Sequence, residues 1–170
     1  MTAKITATTT ATWSFGPTTM TVNGRTFGAS YSVARGGDVY VFTGGLEAVT
    51  IPDLNCRVYG AGYQSMDSAP LLENFRAEGS EKYCIAVLHG DPTRKDSPYC
   101  PITAQQVRDS GLQYLALGHI HKAGAFHAGG TLCAWPGCPM GRGWDETGEK
   151  GVCIVTVEDS ASLRAVALDT

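Results

Sequence analysis

Two continuous apolar runs, each closing on a histidine, constrain this 170-residue chain more than any other feature. The first is KYCIAVLH, ending at His89, and the second is LQYLALGH, ending at His119. Runs of this length without polar alternation read as strands covered on both faces. Between them lies ITAQQVRDSG, where Thr103 and Gln106 have capping-box spacing and Gly111 stands at the C-terminal end, so a helix is expected there. Strand, helix and strand make a βαβ crossover with parallel strands. Parallel strands end on one edge of the sheet. His89 and His119 are therefore expected side by side, roughly 5 Å apart if their strands are neighbours. Open α/β sheets place their ligands outside such strand ends.

His121 follows His119 by two positions. In an extended segment i and i+2 share a face, which aims three imidazoles at one volume and turns Ile120 the other way. Imidazole is a good ligand for Zn, Mn and Fe, so His89, His119 and His121 are the candidate metal ligands. The fourth histidine, His127, lies in AFHAGG without such an alignment and reads as a structural or surface residue.

Most of the remaining chain reads as strand and turn. DVYVFTGGLEAVTI gives two strands around Gly44-Gly45, and CRVYGAGY gives another. AFHAGGTLCAW reads as a hairpin turning at Gly129-Gly130, and GVCIVTVE with SLRAVALD as two strands joined near Asp159-Ser160. SAPLLENFRAEG is expected to be a short helix, with Ser68 as N-cap, Pro70 in the first turn and Gly79 beyond the end. PGCPMGRGWDETGEKG is a long glycine-rich loop. Its Arg142 is a candidate substrate-phosphate contact, or else a partner for Asp145, Glu146 or Glu149. Trp135 and Trp144 flank the loop and are expected to pack in the core rather than stack on bases. Asp91 either orients a ligand or starts a turn. No catalytic residue beyond the metal ligands stands out. Residues 1–37 form an atypical leader: the opening is threonine-rich and nearly free of charge, and Asn23-Gly24 is a hairpin signal. Residues 38–170 form the regular portion.

The net charge of −3 argues against autonomous, nonspecific DNA binding, which needs a basic face to displace counterions. Six cysteines without a C-x-x-C pair read as small buried hydrophobes of a reducing cytoplasm, with a structural zinc site or disulfides as the alternative. The N-terminus has no apolar signal region, and no run approaches the roughly 18 apolar residues of a membrane span. A cytoplasmic location and no membrane partner are the expectation.

VLHGD around His89 and YLALGHIHKA around His119 and His121 resemble the last two motifs of the calcineurin-like metallophosphoesterases. TLCAWPGCPMGRGWDETGEKGV resembles the segment that follows in SbcD-like DNA repair exonucleases, and the preceding VYVFTGGLEAV and VYGAGY fit as well. The likeness runs over residues 38–168, the C-terminal half of such a domain. It implies an α/β fold: a partial metallophosphoesterase-type β-sandwich flanked by helices, with a β-rich C-terminal part. It implies two divalent ions, Mn²⁺ foremost and Zn²⁺ or Fe²⁺ as alternatives. His89 and His119 would bind one ion and His121 the other. It further implies phosphodiester hydrolysis on nucleic acid or another phosphodiester, and an SMC-like ATPase partner.

The family's earlier motifs, D-x-H, G-D-x-x-D and G-N-H-D/E, do not occur in the sequence. They supply the carboxylate that bridges the ions. Without it two close cations repel, and three neutral histidines hold at most one ion well. The expectation is a phosphodiester hydrolase incomplete in this chain, either a truncated or split reading of a longer gene or one whose missing ligands come from an N-terminal companion chain. The alternatives are an inactive remnant serving as a binding or structural module, and a mononuclear zinc hydrolase.

Overall fold

The structure is a computed structural model that describes residues 20–22, 25–27, 31–35, 38–62, 65, 68–141 and 143–168, with side chains from residue 40 onward. The threonine-rich opening and Arg142 lie outside the described residues. In chain order the elements begin with strands β1 (Met20–Val22), β2 (Arg25–Phe27), β3 (Tyr31–Arg35), β4 (Asp38–Phe42), β5 (Glu47–Ile51) and β6 (Cys56–Gly60). Then come β7 (Tyr83–His89), the helix α1 (Ala104–Asp109), β8 (Tyr114–Gly118), β9 (Gly124–Ala128) and β10 (Thr131–Trp135). The last two strands are β11 (Gly151–Val157) and β12 (Ala161–Ala167).

Six strands form one mixed sheet in the order β5-β6-β7-β8-β10-β9. The four central strands run parallel, and the two edge strands pair antiparallel with their neighbours. A parallel centre must be covered on both faces. Side chains of the central strands alternate between two apolar layers accordingly. Val58, Ile85, Val87, Tyr114, Ala116, Leu132 and Ala134 face Phe42 of β4 and Val155, Val157 and Ala161 of the β11–β12 hairpin. Tyr59, Ala86, Leu88, Leu115, Leu117 and Cys133 face Leu72, Ile102, Val107 and Leu112. Each fully buried Leu, Val or Ile in these layers contributes about 2 kcal/mol.

The expected βαβ unit forms. Strands β7 and β8 are parallel neighbours, with His89 opposite Gly118. Helix α1 starts at Thr103, whose side chain accepts from the Gln106 backbone N–H while the Gln106 side chain accepts from Thr103 N–H. This reciprocal box fixes the start of a helix only six residues long. The β9–β10 and β11–β12 hairpins also form as expected. Strand β1 pairs antiparallel with β2, and β3 pairs antiparallel with β4.

Two expectations are corrected. Residues 68–79 are not a helix: Ser68 bridges to Tyr99 instead, and the chain makes i, i+3 turns ending at Asn74, whose φ is +58°. The next residues bond outward, Ala77 N–H to Ser110 O at 2.7 Å and Glu78 N–H to the Tyr59 hydroxyl at 2.7 Å. These tertiary bonds take the amides a helix would use. The flanking helices are not evident either. Among the described residues α1 is the one α-helix, and the second face of the sheet is covered largely by irregular chain around Leu72, Cys100 and Ile102. No helix among the described residues is long and apolar enough to cross a membrane.

Candidate metal centre

The ends of β7 and β8 bring His89 and His119 together. His89 Nε2 and His119 Nδ1 stand 3.1 Å apart, and the rings meet edge to face at 4.8 Å between centroids. Local backbone chemistry makes this approach possible. Gly90 follows His89 where a Cβ would lie 2.6 Å from Ile102 Cδ1 and 2.9 Å from Cys100 O. The chain can therefore double back directly after the histidine. Asp91 N–H donates to Tyr99 O at 3.1 Å and Ile102 N–H donates to Asp91 O at 2.9 Å, which zips the returning loop. That loop lays the Tyr99 ring against His119, with centroids 4.7 Å apart. His119 has φ +108°, a backbone region that side chains rarely adopt. Such residues store about 1–3 kcal/mol of strain and cluster at functional sites.

Both imidazoles are held neutral. Burial, then the neighbouring His119, pushes the His89 pKa down to about 4. Burial likewise lowers His119; the Asp91 charge opposes this and His121 adds to it. Without a cation, one of the two facing nitrogens must carry the proton of their hydrogen bond. With a cation, both present lone pairs. Nitrogen ligands sharing one ion at bonds of about 2.0–2.1 Å stand about 3.0–3.4 Å apart. The observed 3.1 Å therefore fits a divalent cation between His89 and His119.

His121 is placed differently. It is close enough to influence His119 electrostatically, but its Nδ1 contacts Glu146 Oε1 directly. Cys138 Sγ lies 3.8 Å from Glu146 Oε2. One ligand atom from each of His121, Cys138 and Glu146 falls within 4.8 Å of the others. The sequence reading missed this grouping. The sequence points to Glu146 as a partner for Arg142, and to Cys138 as one of six cysteines that are buried hydrophobes or else members of a zinc site or disulfide, without naming its company. No spacing rule connects positions 121, 138 and 146; a loop fold that only tertiary structure reveals brings them together.

The other singled-out residues take clear places. Asp91 is buried and starts a turn, its Oδ1 accepting from Thr93 N–H at 2.8 Å and from the Thr93 hydroxyl at 2.6 Å. Burial alone would raise its pKa, but hydrogen bonds from Thr93 and Ser97, with a smaller contribution from the neighbouring His119, hold the carboxyl below its ordinary value. Ile120 is half-buried. His127 is exposed on β9. Trp135 packs on Phe126 and donates its indole N–H to Lys122 O at 2.9 Å, as a core residue should. Trp144 is a correction: it is 100% exposed, because the glycine-rich loop carries it clear of both apolar layers. All six cysteines are free thiols. Cys56, Cys84, Cys100 and Cys133 are buried, while Cys138 and Cys153 are only partly so.

Comparison with known proteins gives the family rather than the site. Residues 37–160 match the calcineurin-like phosphoesterase superfamily domain. The uncharacterized metallophosphoesterase YhaO of Bacillus subtilis (strain 168) is 36% identical over 106 residues. The match takes in 59% of this chain but only 25% of that relative, so the chain spans about a quarter of its length.

Proposed function

The chain belongs to the calcineurin-like phosphoesterase superfamily, and on that premise we propose that it contributes the His89–His119 half of a phosphodiester-hydrolysing metal centre. The family implies dependence on a divalent metal. The observation that carries the proposal is the 3.1 Å separation of two neutral imidazole nitrogens at neighbouring parallel strand ends. A bound divalent cation supplies Lewis acidity and charge neutralisation to a phosphate oxygen.

The protein's own contribution is to hold and orient. Gly90 lets the loop close behind His89, and the Tyr99 ring packs beside the His119 imidazole. Burial keeps both imidazoles unprotonated near neutral pH, so they face a cation with lone pairs rather than charge. Asp91 Oδ1 accepts from the Thr93 N–H and hydroxyl.

The finer reading is a DNA-end nuclease of the SbcD-like type, working with Mn²⁺ and an SMC-like ATPase partner. It is supported by the VLHGD and GHIHKA motifs and the PGCPMGRGW loop. In this reading the bridging carboxylates come from a companion polypeptide, because the described cluster of histidines contains none that joins His89 to His119. The test is Mn²⁺-dependent cleavage of linear duplex DNA and of an aryl phosphodiester. Each is assayed with the 170-residue chain alone and with a polypeptide bearing the D-x-H, G-D-x-x-D and G-N-H motifs. Cleavage in the mixture that disappears in His89→Ala is expected. Cleavage in neither preparation contradicts the proposal.

A further inference from the structure

We propose that Trp144 is a base-stacking residue that holds an unpaired nucleobase of the substrate strand beside the metal centre. The inference rests on the phosphodiester reading and narrows its substrate to a strand with unstacked bases. Trp144 is 100% exposed, and Met140 on the same loop is 63% exposed. A packed aromatic side chain buries about 150–250 Å². A Trp left wholly in water gives up that whole contribution to the fold. The turn that carries it is nevertheless well defined. Glu146 N–H donates to Gly143 O at 3.1 Å, which closes a turn over residues 143–146 with Trp144 at its outer corner. A Cβ on Gly143 would lie 2.6 Å from Asp145 Oδ1, so the turn is tight at its first residue.

The turn is tied to the metal centre. Glu146 Oε1 contacts His121 Nδ1, and Cys138 N–H donates to His121 O at 3.0 Å. Trp144 is two residues from Glu146, a span of at most about 7 Å. The indole is therefore held close to the segment that carries His119 and His121. Between this loop and the β11–β12 hairpin lies a cleft of about 670 Å³. Its charges are mixed, Lys122 and Lys150 against Asp145 and Glu149. A strand gains little from counterion release at such a surface. The ring face supplies the attraction instead, and it does so for any sequence because every base has a π-face. A protein partner fits this loop less well. A stable interface takes about 800 Å² from each partner, and its core is depleted of charged residues. Here two exposed apolar side chains, Met140 and Trp144, stand among exposed Gly143, Asp145 and Glu149. One indole face matches one base.

The test is fluorescence anisotropy of a short fluorescein-labelled oligothymidylate titrated with the 170-residue chain. It is run at low salt with a chelator present, so that no strand is cut, and repeated with an abasic strand of the same length. The parent chain should prefer the oligothymidylate. Trp144→Ala should bind it about tenfold more weakly, equal to about 1.4 kcal/mol, and should no longer distinguish the two strands. Trp144→Phe keeps a ring face and should retain most of the affinity. Equal affinity of the parent for both strands overturns the inference, as does an unchanged affinity in Trp144→Ala or no binding at all. Self-association that is lost in Trp144→Ala while oligothymidylate affinity stays the same would make the loop a protein interface and equally overturn it. Failure of the metal-centre reading shows differently, as absent Mn²⁺ broadening at His89 and His119 with the strand preference intact.

Discussion

His89 Nε2 lies 3.1 Å from His119 Nδ1 although the two residues are thirty positions apart in the chain. The contact follows from parallel pairing: with His89 opposite Gly118, the residue after Gly118 emerges beside the His89 ring. Two neutral imidazoles at this separation are satisfied either by one shared proton or by one shared cation. Most of what the protein is expected to do follows from that choice.

Gly90 is the hinge of this arrangement. In Gly90→Ala the new Cβ would press on Ile102 and on the Cys100 carbonyl. The returning loop must then move away from the strand end. Overpacking of this kind costs about 1–3 kcal/mol. Urea unfolding should show that loss, and Mn²⁺ affinity should fall with it.

Acidification should destabilise the metal-free chain in a defined window. An unfolded histidine takes up its proton near pH 6.5, whereas folded His89 does so only at about 4. Between those values the unfolded chain binds the extra proton, so stability rises with pH across the window and is lost as pH falls through it. His119, also lowered, acts in the same direction. For His89 alone the loss is on the order of 3 kcal/mol. Urea midpoints at both ends of the window, measured with a chelator present, should show a much smaller difference in His89→Gln.

Thiol accessibility should divide the cysteines into two groups. Burial pushes Cys133 up to about 12 and Cys56 up to about 11, and Cys84 and Cys100 are buried as well. A disulfide reagent at pH 8 should modify Cys138 and Cys153 in the native chain and the other four only in denaturant.

The capping box should matter because α1 is so short. Thr103→Ala removes the acceptor for the Gln106 amide and should cost about 1 kcal/mol in thermal or urea unfolding.

The sequence made the core of the fold readable wherever apolar pattern and turn chemistry agreed. KYCIAVLH and LQYLALGH could only be covered strands, and Thr103 with Gln106 could start a helix without help from elsewhere. Residues 68–79 carried helix signals too, but Tyr59 and Ser110 outbid them with tertiary hydrogen bonds that no local rule contains. The same divide runs through the site. His89 and His119 were legible because strand ends obey register. The i, i+2 rule does not carry His121 into the same contact, since the chain leaves extended geometry at His119 with φ +108°. Glu146 and Cys138 were hidden because a glycine-rich loop has no periodicity to announce which of its residues return.

The most direct test of the central claim is a Mn²⁺ titration of the 170-residue chain, followed through the ring resonances of its four histidines. A cation held by His89 and His119 should broaden those two rings first and together, at well below one equivalent, and leave His127 sharp. Broadening that begins at His127 or at surface carboxylates, with the His89 and His119 rings unaffected, would contradict it.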